Sequence, residues 1–559
     1  MAYQPISKER LAELLAKARA NKEAMQAQQE PPPAEIVVSN EVPTNLFQTT
    51  DKYGNAITYN AKQTKFLDFA AKGESGILLG AAGTGKTTTM KGTVQTLIET
   101  NQIGYLPREC DHKYLPAGGY GVAIVAYTRR ATNNIRRNVS EDVARNCITI
   151  HKLLEYEPVI YEEIDEKGNT VKKKVFEPKR NAYYPLPEEI KVIIFEESSM
   201  VSTELYEQVV AAAPHNPTYI FLGDIQQLPP VFGSAILGYK MLELPTVELT
   251  EVYRQALESP IIRLAHRILS GKGIPDSEFP EWNIPNQLKL HPWKKRLSAD
   301  VALHTAAKFF TTALDNNAYN PEDDIILIPY NKSFGTDELN KFIAQHIARR
   351  NGRKTYEIIA GFNKHYLSIG DKVLYDKEDA IVIDIKPNPT YSGKRTQPAS
   401  FTLDYWGYDP VGSKQNQEEE DMTEEHIDFL LEQVANMEDS ERVRQASHSV
   451  VLQMQDTERE VTIDTASAIN GMILGYAITV HKSQGSEWDK VFLVLHQSHA
   501  TMIQRELLYT AVTRAKKELY VICEPDSFVK GIDSQRIKGN SLEEKIEYFK
   551  GKQDDLMKG

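Results

Sequence analysis

The stretch that decides the fold runs from Gly76 to Thr88 and reads GILLGAAGTGKTT. Its apolar first half predicts a buried strand, and a helical pattern follows the glycine-rich turn. A phosphate-binding loop lies in this context, between a strand and the amino terminus of a helix. Its glycines let backbone N–H groups face the β- and γ-phosphates of a nucleotide, Lys86 neutralises charge, and the Thr87 hydroxyl can bind Mg²⁺.

Two groups of short apolar runs alternate with helical stretches and predict two parallel sheets. The first group comprises the runs at 76–80, 122–127, 192–196 and 219–223. The second comprises the runs at 325–330, 476–481, 491–496 and 518–523. The predicted fold class is therefore α/β, with two lobes and a cleft between them. A smaller β unit is expected at 365–470, interrupted by an acidic run at 418–421 that is most simply a solvated insertion.

The composition is that of a globular protein with several domains. Its length of 559 residues suggests roughly four domains or subdomains, and 41% hydrophobic with 25% charged residues excludes collagen, coiled coil and wholesale disorder. Cys110, Cys147 and Cys523 lack the spacing of a disulfide framework or a zinc site, which favours a reducing, intracellular setting. No signal peptide or membrane span is expected. The net charge of −12 argues against indiscriminate polyanion binding but leaves a local basic groove open.

Two further predicted strands end in polar groups suited to phosphate chemistry. The run VIIF is followed by Glu196 and Glu197, and YIFLG by Asp224 and Gln227. We expect Glu196 to hold Mg²⁺ and Glu197 to accept a proton from, or to orient, the water that attacks the γ-phosphate. Gln227 would sense the γ-phosphate. A surface acidic pair is the alternative for the two glutamates.

The phosphate loop, the glutamate pair after VIIF and the polar turn after YIFLG follow one another in the order found in superfamily 1 helicases, and the three motifs resemble those of that family. The later stretches 476–489 and 508–515 resemble motifs V and VI of the RecD-like and phage Dda-like branch, which moves 5′ to 3′. The resemblance covers about residues 55–525 and implies two RecA-like lobes with ATP and Mg²⁺ as cofactors. One departure is Glu196, because the family usually has aspartate there. Its extra methylene requires a slight rearrangement of the near-octahedral Mg²⁺ site.

The resemblance also implies nucleotide contacts outside the phosphate loop. Gln63 would read the adenine edge as part of a Q motif, with a plain helix cap as the alternative. Tyr253 would lie near the base and Arg254 at the γ-phosphate, with lobe packing as the alternative, and Arg514 would be an arginine finger from the second lobe. The nucleotide-binding set is Gln63, Gly83, Thr84, Gly85, Lys86, Thr87, Thr88, Tyr253, Gly485 and Glu487. The catalytic set is Lys86, Glu197, Gln227, Arg254 and Arg514, and the metal ligands are Thr87 and Glu196.

A single-stranded DNA site is implied by the same resemblance. Its expected contacts are Thr128, Arg129, Thr149, His151, Thr479 and His481. Residues 157–177 predict a β-hairpin at the position of the family's strand-separating pin, and an inert surface hairpin is the alternative. Tyr161 and Phe176 would offer stacking faces to a base or pack the hairpin base. The β unit at 365–470 resembles an SH3-like subdomain that clamps the strand.

The chain is expected to divide into six segments. They are an N-terminal helix with a proline-rich linker (1–50), the first RecA-like lobe (51–255), the first part of the second lobe (256–364), the SH3-like β subdomain (365–470), the second part of the second lobe (471–530) and a C-terminal tail (531–559). The N-terminal helix is interpreted either as a solvated arm or as a partner-binding helix.

These expectations together predict an ATP-dependent 5′-to-3′ DNA helicase that translocates on single-stranded DNA and unwinds duplex at single-strand/duplex junctions. We expect a monomeric motor with a cytoplasmic location, which includes a phage-encoded protein that acts in the host cytoplasm. A 5′-to-3′ RNA helicase is one alternative, because such a fold grips mainly phosphates and stacked bases. A nucleotide-switched binding module without unwinding is another. Replication, recombination and repair all stay open as pathways.

Overall fold

The computed structural model describes residues 56–164, 170–230, 233–252, 258–293, 295–332, 334–375, 378–391, 445–455, 459–524 and 526–558. Several predicted features lie outside these residues: the N-terminal helix within 1–50, the acidic run at 418–421, Tyr253 and Arg254. Among the described residues, no helix combines the length and apolar character that a membrane span needs.

Twenty strands are present in the part of the chain that the structure describes. In chain order they are β1 (Gly76–Gly80), β2 (Val122–Ala126), β3 (Cys147–Thr149), β4 (Tyr156–Ile164), β5 (Thr170–Pro178), β6 (Val192–Phe195), β7 (Thr218–Gly223), β8 (Thr246–Leu249), β9 (Leu288–Pro292), β10 (Ile325–Ile328), β11 (Thr355–Ala360), β12 (Asn363–Ser368), β13 (Lys372–Tyr375), β14 (Glu378–Pro387), β15 (Gln445–Met454), β16 (Glu460–Thr465), β17 (Ile473–Leu474), β18 (Ala477–Thr479), β19 (Trp488–Leu495) and β20 (Ala515–Cys523).

Helices connect most of these strands. In chain order they are α1 (Ala61–Ala71), α2 (Lys86–Glu99), α3 (Arg129–Arg136), α4 (Glu141–Ala144), α5 (Ile150–Leu153), α6 (Thr203–Ala212), α7 (Ile236–Lys240), α8 (Pro260–Leu269), α9 (Phe279–Trp282), α10 (Ala299–Asp315), α11 (Thr336–Arg350), α12 (Ala466–Asn470), α13 (Arg505–Val512), α14 (Ser527–Asp533) and α15 (Leu542–Lys558).

The first lobe is built on a six-stranded sheet with the order β3-β2-β6-β7-β1-β8, in which every pair is parallel. The sheet is buried on both faces, which explains why its strands are apolar throughout. Leu78 packs on one face with Phe66, whereas Ile77 and Leu79 pack on the other with Phe195. The strand that precedes the phosphate loop is therefore held between β7 and β8 and is fixed from both sides.

The second lobe contains a five-stranded parallel sheet with the order β18-β10-β19-β20-β9. The predicted α/β fold with two parallel sheets is thus confirmed. Strand β9 was not predicted, because it is a short edge strand whose buried Leu288 and Leu290 alternate with exposed residues. It pairs with β20, from Leu519 to Cys523.

An antiparallel unit is inserted into the second lobe between β10 and β18. Its five-stranded sheet has the order β16-β15-β14-β13-β17, and the hairpin of β11 and β12 packs on it. Ile358 and Leu367 of this hairpin share a core with Val382, Val450 and Ile463 of the sheet. The unit therefore draws its core from both sides of residues 392–444, which lie outside the described residues.

A long hairpin, β4 with β5, is inserted into the first lobe. Its backbone pairing runs from Tyr156 opposite Pro178 to Ile164 opposite Thr170. The residues expected to offer stacking faces, Tyr161 and Phe176, lie within these strands, opposite Lys173 and Pro158, and their side chains are outside the described part of the structure. The hairpin predicted at 157–177 therefore forms.

A buried ion network holds the base of this hairpin. Glu155 precedes β4 and Arg180 follows β5; their side chains are only 4% and 1% exposed, and Arg180 Nε donates to Glu155 Oε2 at 3.1 Å. Arg180 also donates to Asp111 at 3.3 Å, and the N–H of Lys113 donates to Glu155 at 2.6 Å. Burial opposes ionisation of Glu155, but the hydrogen bonds from Arg180 and Lys113 outweigh it and lower the pKa of Glu155.

The segment after β20 returns to the first lobe. Phe528 and Ile532 of α14 pack in the core of the second lobe, whereas Phe549 of α15 packs in the core of the first. The Phe549 ring lies so close to Gly238 that a Cβ at that position would overlap it. The C-terminal helices therefore connect the two lobes.

We expect Arg180→Met to destabilise the protein by about 3–5 kcal/mol, because it leaves the buried Glu155 carboxylate without its main cation. The matched control is Lys550→Met, which breaks a solvent-exposed pair with Glu547 and should cost less than about 1 kcal/mol. The measurement is urea denaturation followed by circular dichroism. Equal losses in the two variants would contradict the structural role assigned to Arg180.

Candidate functional site

The phosphate-loop sequence folds as a turn between β1 and α2. Gly83 and Gly85 have φ values of 81° and 87°, the left-handed region in which a side chain would be strained. Gly85 caps α2, whose first residue is Lys86. Lys86 Nζ donates to the Gly80 carbonyl at 2.5 Å and so lies back across the loop. Backbone N–H groups at the start of α2 and the lysine charge together form a cradle for phosphate oxygens.

The remaining residues of this loop differ in exposure. Thr84 is buried and its hydroxyl donates to the Ala81 carbonyl at 2.8 Å, so it shapes the turn. Thr87, the predicted metal ligand, is exposed on the first turn of α2, and Thr88 is half-buried beside it. An exposed hydroxyl at this position can bind a cation that also contacts the phosphates.

Glu196 and Glu197 follow β6 at the same carboxyl edge of the sheet. The Glu196 side chain is buried and accepts a hydrogen bond from the N–H of Glu197. Burial and the neighbouring Glu197 charge raise the pKa of Glu196 to about 7, and Lys86 opposes this rise. Glu197 has a φ of 50°, an uncommon conformation for a residue with a side chain. Its buried Oε2 accepts no hydrogen bond from the described residues.

The turn after β7 brings two more polar side chains to this edge. Asp224 accepts a hydrogen bond from the N–H of Gln226 at 3.0 Å, and the N–H of Gln227 donates to the Asp224 carbonyl at 3.1 Å. Gln227 is buried, and its Oε1 has no hydrogen-bond partner within the part of the chain that the structure describes. Buried polar atoms are rarely left unpaired, so Glu197 and Gln227 are suited to a polar ligand at this edge.

The second lobe closes against this edge through polar contacts. The N–H of Leu228 donates to Thr510 Oγ1 at 3.0 Å, and Gln484 Nε2 donates to the Leu228 carbonyl at 2.9 Å. The N–H of Ala82 in the phosphate loop donates to the Tyr509 hydroxyl at 2.8 Å. The two lobes therefore meet at the phosphate loop and at the turn after β7.

Arg514 lies on the second-lobe side of the cleft and is held by its own lobe. Its guanidinium donates to the carbonyls of Thr510 and Ser486 at 3.0 and 3.1 Å and to Thr513 Oγ1 at 3.2 Å. The side chain is buried, with 3% exposure. The structure thus shows the Arg514 guanidinium held by the second lobe, and its role as an arginine finger stays a prediction.

The residue predicted to read adenine, Gln63, takes part in a complete capping box at the start of α1. Its Oε1 accepts from the N–H of Asn60 at 3.0 Å, and Asn60 Oδ1 accepts from the N–H of Gln63 at 2.9 Å. Its Nε2 donates to Thr89 Oγ1 at 3.0 Å. The cap and the link to α2 are therefore present, and the adenine contact stays a prediction.

The two residues of the stretch 476–489 that were assigned to the nucleotide, Gly485 and Glu487, differ in their contacts. Gly485, with a φ of 74°, lies against α3, and its carbonyl accepts from Asn134 Nδ2 at 3.0 Å. Glu487 is exposed and pairs with Lys516 at 3.5 Å. The structure thus brings Gly485 to a contact between the lobes, and its nucleotide contact stays a prediction.

The residues predicted to bind a single strand in the first lobe lie at the ends of two neighbouring strands. Thr128 and Thr149 follow β2 and end β3, and each caps a short helix with its hydroxyl. The His151 ring packs edge-on between Tyr127 and Tyr156, with centroids 5.6 and 5.0 Å away. Arg129 donates to the fully buried carboxylate of Glu378 at 3.3 Å.

Thr479 and His481 occupy the corresponding position in the second lobe, where β18 ends. Thr479 is buried and its hydroxyl accepts from the N–H of Lys482 at 3.2 Å, whereas His481 is half-buried. Strand β18 is an edge strand, as β3 is in the first lobe. The predicted strand contacts thus form one group at the carboxyl edge of each sheet.

Two family models and several helicases match this chain. The family described as AAA domain matches residues 58–278, and the family described as UvrD-like helicase C-terminal domain matches residues 474–522. The ATP-dependent RecD2 DNA helicase of Deinococcus radiodurans is 27% identical over 460 residues, which is 82% of this chain and 48% of that protein. The ATP-dependent DNA helicase dda of Enterobacteria phage T4 is 24% identical over 472 residues, 79% of this chain and 93% of that protein.

This chain is similar to superfamily 1 helicases of the RecD-like and Dda-like branch. The resemblance predicted from its motifs is thereby confirmed. The chain spans about half the length of the RecD2 protein that it matches. A solved structure of the Pif1 helicase from Candida albicans is 16% identical, covers 89% of this chain and 99% of its own, and has a TM-score of 0.41.

Several residues at the cleft were not predicted. They are Tyr509, Thr510 and Gln484 in the second lobe, together with His266 of α8, whose ring nitrogen donates to the Ala82 carbonyl at 3.2 Å. Three of the four lie inside or beside the stretches quoted as motifs V and VI, but nothing in the sequence distinguishes them from core residues. Their hydrogen-bond partners belong to the first lobe, and only the packing of the two lobes brings these groups together.

The residues at the carboxyl edge of the first sheet fit a nucleoside triphosphate with Mg²⁺. We expect Lys86→Ala to weaken binding of a fluorescent ATP analogue about tenfold or more, because it removes charge from the phosphate cradle. Glu197→Gln should bind within about threefold of the unmodified protein, because it removes a like charge beside the phosphates without removing a donor. The control is Lys65→Ala on the exposed face of α1. A titration followed by anisotropy measures all three, and unchanged binding by Lys86→Ala would refute the cradle.

Proposed function

We propose that this chain is an ATP-dependent 5′-to-3′ DNA helicase that translocates along single-stranded DNA and unwinds duplex. One observation carries the proposal: the phosphate loop, the polar ends of β6 and β7, and helix α13 of the second lobe meet at one cleft. In such an arrangement hydrolysis in the cleft depends on how the lobes are placed, and lobe movement depends on the nucleotide. The names of the RecD2 and Dda relatives, both ATP-dependent DNA helicases, support the same activity.

For ATP hydrolysis, we assign roles to the residues at the cleft. Lys86 would bind the phosphates, with Gly83, Thr84, Gly85 and Thr88 shaping the loop around them. Mg²⁺, held by Thr87 and Glu196, would supply charge that stabilises the phosphate oxygens in the transition state. The Glu196 carboxyl, whose raised pKa of about 7 reflects burial beside Glu197, is favoured in its ionised form by a cation.

The attacking water would be activated by Glu197, whose buried Oε2 lacks a partner among the described residues. Gln227 would orient the same water through its Oε1, which also lacks a partner among the described residues, or the γ-phosphate through its side-chain N–H groups. Arg514 and Arg254 would compensate charge that develops on the γ-phosphate. Gln63 and Tyr253 at the base, and Gly485 and Glu487 at the ribose side, complete the proposed nucleotide site.

Movement along a strand would follow from the division of the strand contacts between the lobes. Thr128, Arg129, Thr149 and His151 belong to the first lobe, and Thr479 and His481 to the second. When the cleft opens and closes, the two groups move relative to each other, so a strand held alternately by each group is displaced in steps. We propose that this displacement runs 5′ to 3′ and that a monomer performs it.

We further propose that the β4–β5 hairpin is the strand-separating pin and that the antiparallel unit is an SH3-like clamp. The ion network at Glu155 and Arg180 supports the first role, because a wedge must be held rigidly at its base. Contacts between α3 and β14 support the second: Arg129 pairs with Glu378, and Arg130 pairs with Asp379. These pairs place the antiparallel unit beside the proposed strand contacts. The segment bounds given above stay proposals.

We expect the protein to displace a strand from a duplex with a 5′ single-stranded tail and not from the same duplex with a 3′ tail. ATP is required, and Glu197→Gln should lower strand-stimulated hydrolysis by about 10² or more, because it removes the general base. Gel-based displacement and a coupled hydrolysis assay are the measurements. Displacement from the 3′-tailed duplex only would overturn the direction.

Stimulation by RNA but not DNA would favour an RNA helicase, and hydrolysis that no single strand stimulates would favour a nucleotide-switched binding module.

Replacing residues 157–177 with a short Gly-Ser turn should abolish unwinding and leave hydrolysis stimulated by single-stranded DNA within about twofold. Undoing duplex stacking costs about 1.4 kcal/mol per base-pair step, and a rigid wedge prevents the separated bases from pairing again. The replacement keeps Tyr156 and Pro178, which are paired at the hairpin base. Displacement of a 5′-tailed duplex is compared with hydrolysis on the same single strand. Unimpaired displacement would show an inert hairpin.

A further inference from the structure

The tyrosine at position 509 joins the two lobes at the phosphate loop. Tyr509 lies on α13 and is completely buried, with 0% exposure. Its hydroxyl accepts a hydrogen bond from the N–H of Ala82 at 2.8 Å and donates one to Asp224 Oδ2 at 2.5 Å. Ala82 belongs to the phosphate loop and Asp224 to the turn after β7, so a single hydroxyl connects three motifs.

Both of these hydrogen bonds cross from the second lobe to the first. Burying a hydroxyl costs free energy unless it is hydrogen-bonded, so Tyr509 is satisfied only while the lobes are in contact. Burial and the Asp224 charge raise the pKa of Tyr509 well above its ordinary value, and the hydroxyl stays protonated as the donor to that carboxylate. When the cleft opens, the Ala82 N–H and the Asp224 carboxylate both lose this partner.

The turn that Tyr509 contacts also carries Gln227. The second oxygen of Asp224 accepts from the N–H of Gln226, and the Asp224 carbonyl accepts from the N–H of Gln227. The next residue, Leu228, is held by Thr510 of α13. Helix α13 therefore holds both ends of the turn, and the hydroxyl of Tyr509 fixes the carboxylate around which the turn is folded.

We propose that Tyr509 is a positioning residue that couples closure of the cleft to the placement of Gln227 and the phosphate loop. Closure brings the hydroxyl onto Ala82 and Asp224 and orders the turn that presents Gln227. Opening releases both groups to water and relaxes the turn. Hydrolysis is thereby favoured only in the closed arrangement. The inference rests on the proposed hydrolysis of ATP in this cleft.

The test is Tyr509→Phe, which keeps the ring and removes only the hydroxyl. We expect kcat of hydrolysis at saturating single-stranded DNA to fall roughly tenfold, the equivalent of one hydrogen bond to a charged group. KM for ATP should change less than about threefold, because the bond contributes to placing groups in the closed state rather than to binding the nucleotide.

Asp224→Asn tests the same bond from the first lobe. It keeps an oxygen acceptor but removes the charge, and we expect a fall of kcat in the same direction. The double variant should be no worse than the more impaired single variant, because both changes break one interaction. A double variant whose losses multiply would overturn the coupling of the two residues. This second variant also keeps the inference testable if Tyr509→Phe does not fold.

Tyr319→Phe is the matched control. Tyr319 is another buried tyrosine whose hydroxyl donates within its own lobe, to the Tyr476 carbonyl at 3.3 Å. We expect a comparable loss of thermal stability but kcat within about twofold of the unmodified protein.

The outcomes separate the inference from the proposed function. An unmodified protein that shows no strand-stimulated hydrolysis contradicts the proposed function. If the unmodified protein is active and kcat of Tyr509→Phe stays within about twofold of it, the positioning role is refuted. A rise of KM that equals the fall of kcat also overturns it, since the hydroxyl would then act on nucleotide binding.

Discussion

Parallel pairing of β1 with both β7 and β8 is the constraint on which the rest of the site depends. It buries the strand on two edges and two faces, so the glycine-rich turn that follows cannot shift without breaking the core. The same pairing places the turn after β7 directly beside the phosphate loop. Strand β6 lies next to β7 and delivers Glu196 and Glu197 to the same edge. A charged site is thus built at the rim of an apolar sheet.

Placing Glu196 and Glu197 side by side at the carboxyl edge of the sheet costs electrostatic free energy. The raised pKa of Glu196 and the left-handed backbone of Glu197 both mark a site in which like charges and a strained residue are held together by the surrounding core. A cation would relieve the repulsion, and a water molecule could donate to the buried oxygens of Glu197 and Gln227 that lack partners among the described residues. The electrostatics of the site are therefore more favourable when a nucleotide and its cation are bound than when the site is empty.

The second lobe meets this edge through hydrogen bonds and also through apolar contacts, because Ala81, Ala82 and Leu228 pack with the core of the second lobe. The contacts of Tyr509, Thr510 and Gln484 with the first lobe are directional, so a small rotation of one lobe breaks several of them together. The C-terminal helices, which have α14 in one core and α15 in the other, limit how far the lobes can separate.

The hairpin and the antiparallel unit show how insertions are accommodated without disturbing the sheets. Each enters between strands of a lobe. The hairpin is held at its base by Glu155 with Arg180, whereas the antiparallel unit is tied to α3 of the first lobe by Arg129 with Glu378. In both pairs the carboxylate is almost completely buried, which requires a cation nearby. A buried charged pair therefore contributes to the position of each insertion, and the antiparallel unit also has an apolar core of its own.

The sequence by itself determined the phosphate loop, the alternation of apolar runs that forms two parallel sheets, the capping box of Asn60 and Gln63, and the presence of the hairpin. Each of these is a local pattern with its own physical cause. Only the tertiary structure decided that β9 completes the second sheet, that Arg129 pairs with Glu378, and that Tyr509 bonds to Ala82 and Asp224. Their partners lie more than two hundred residues away along the chain. Such contacts depend on how the lobes and insertions pack against one another, and the spacing of residues along the chain does not predict that packing.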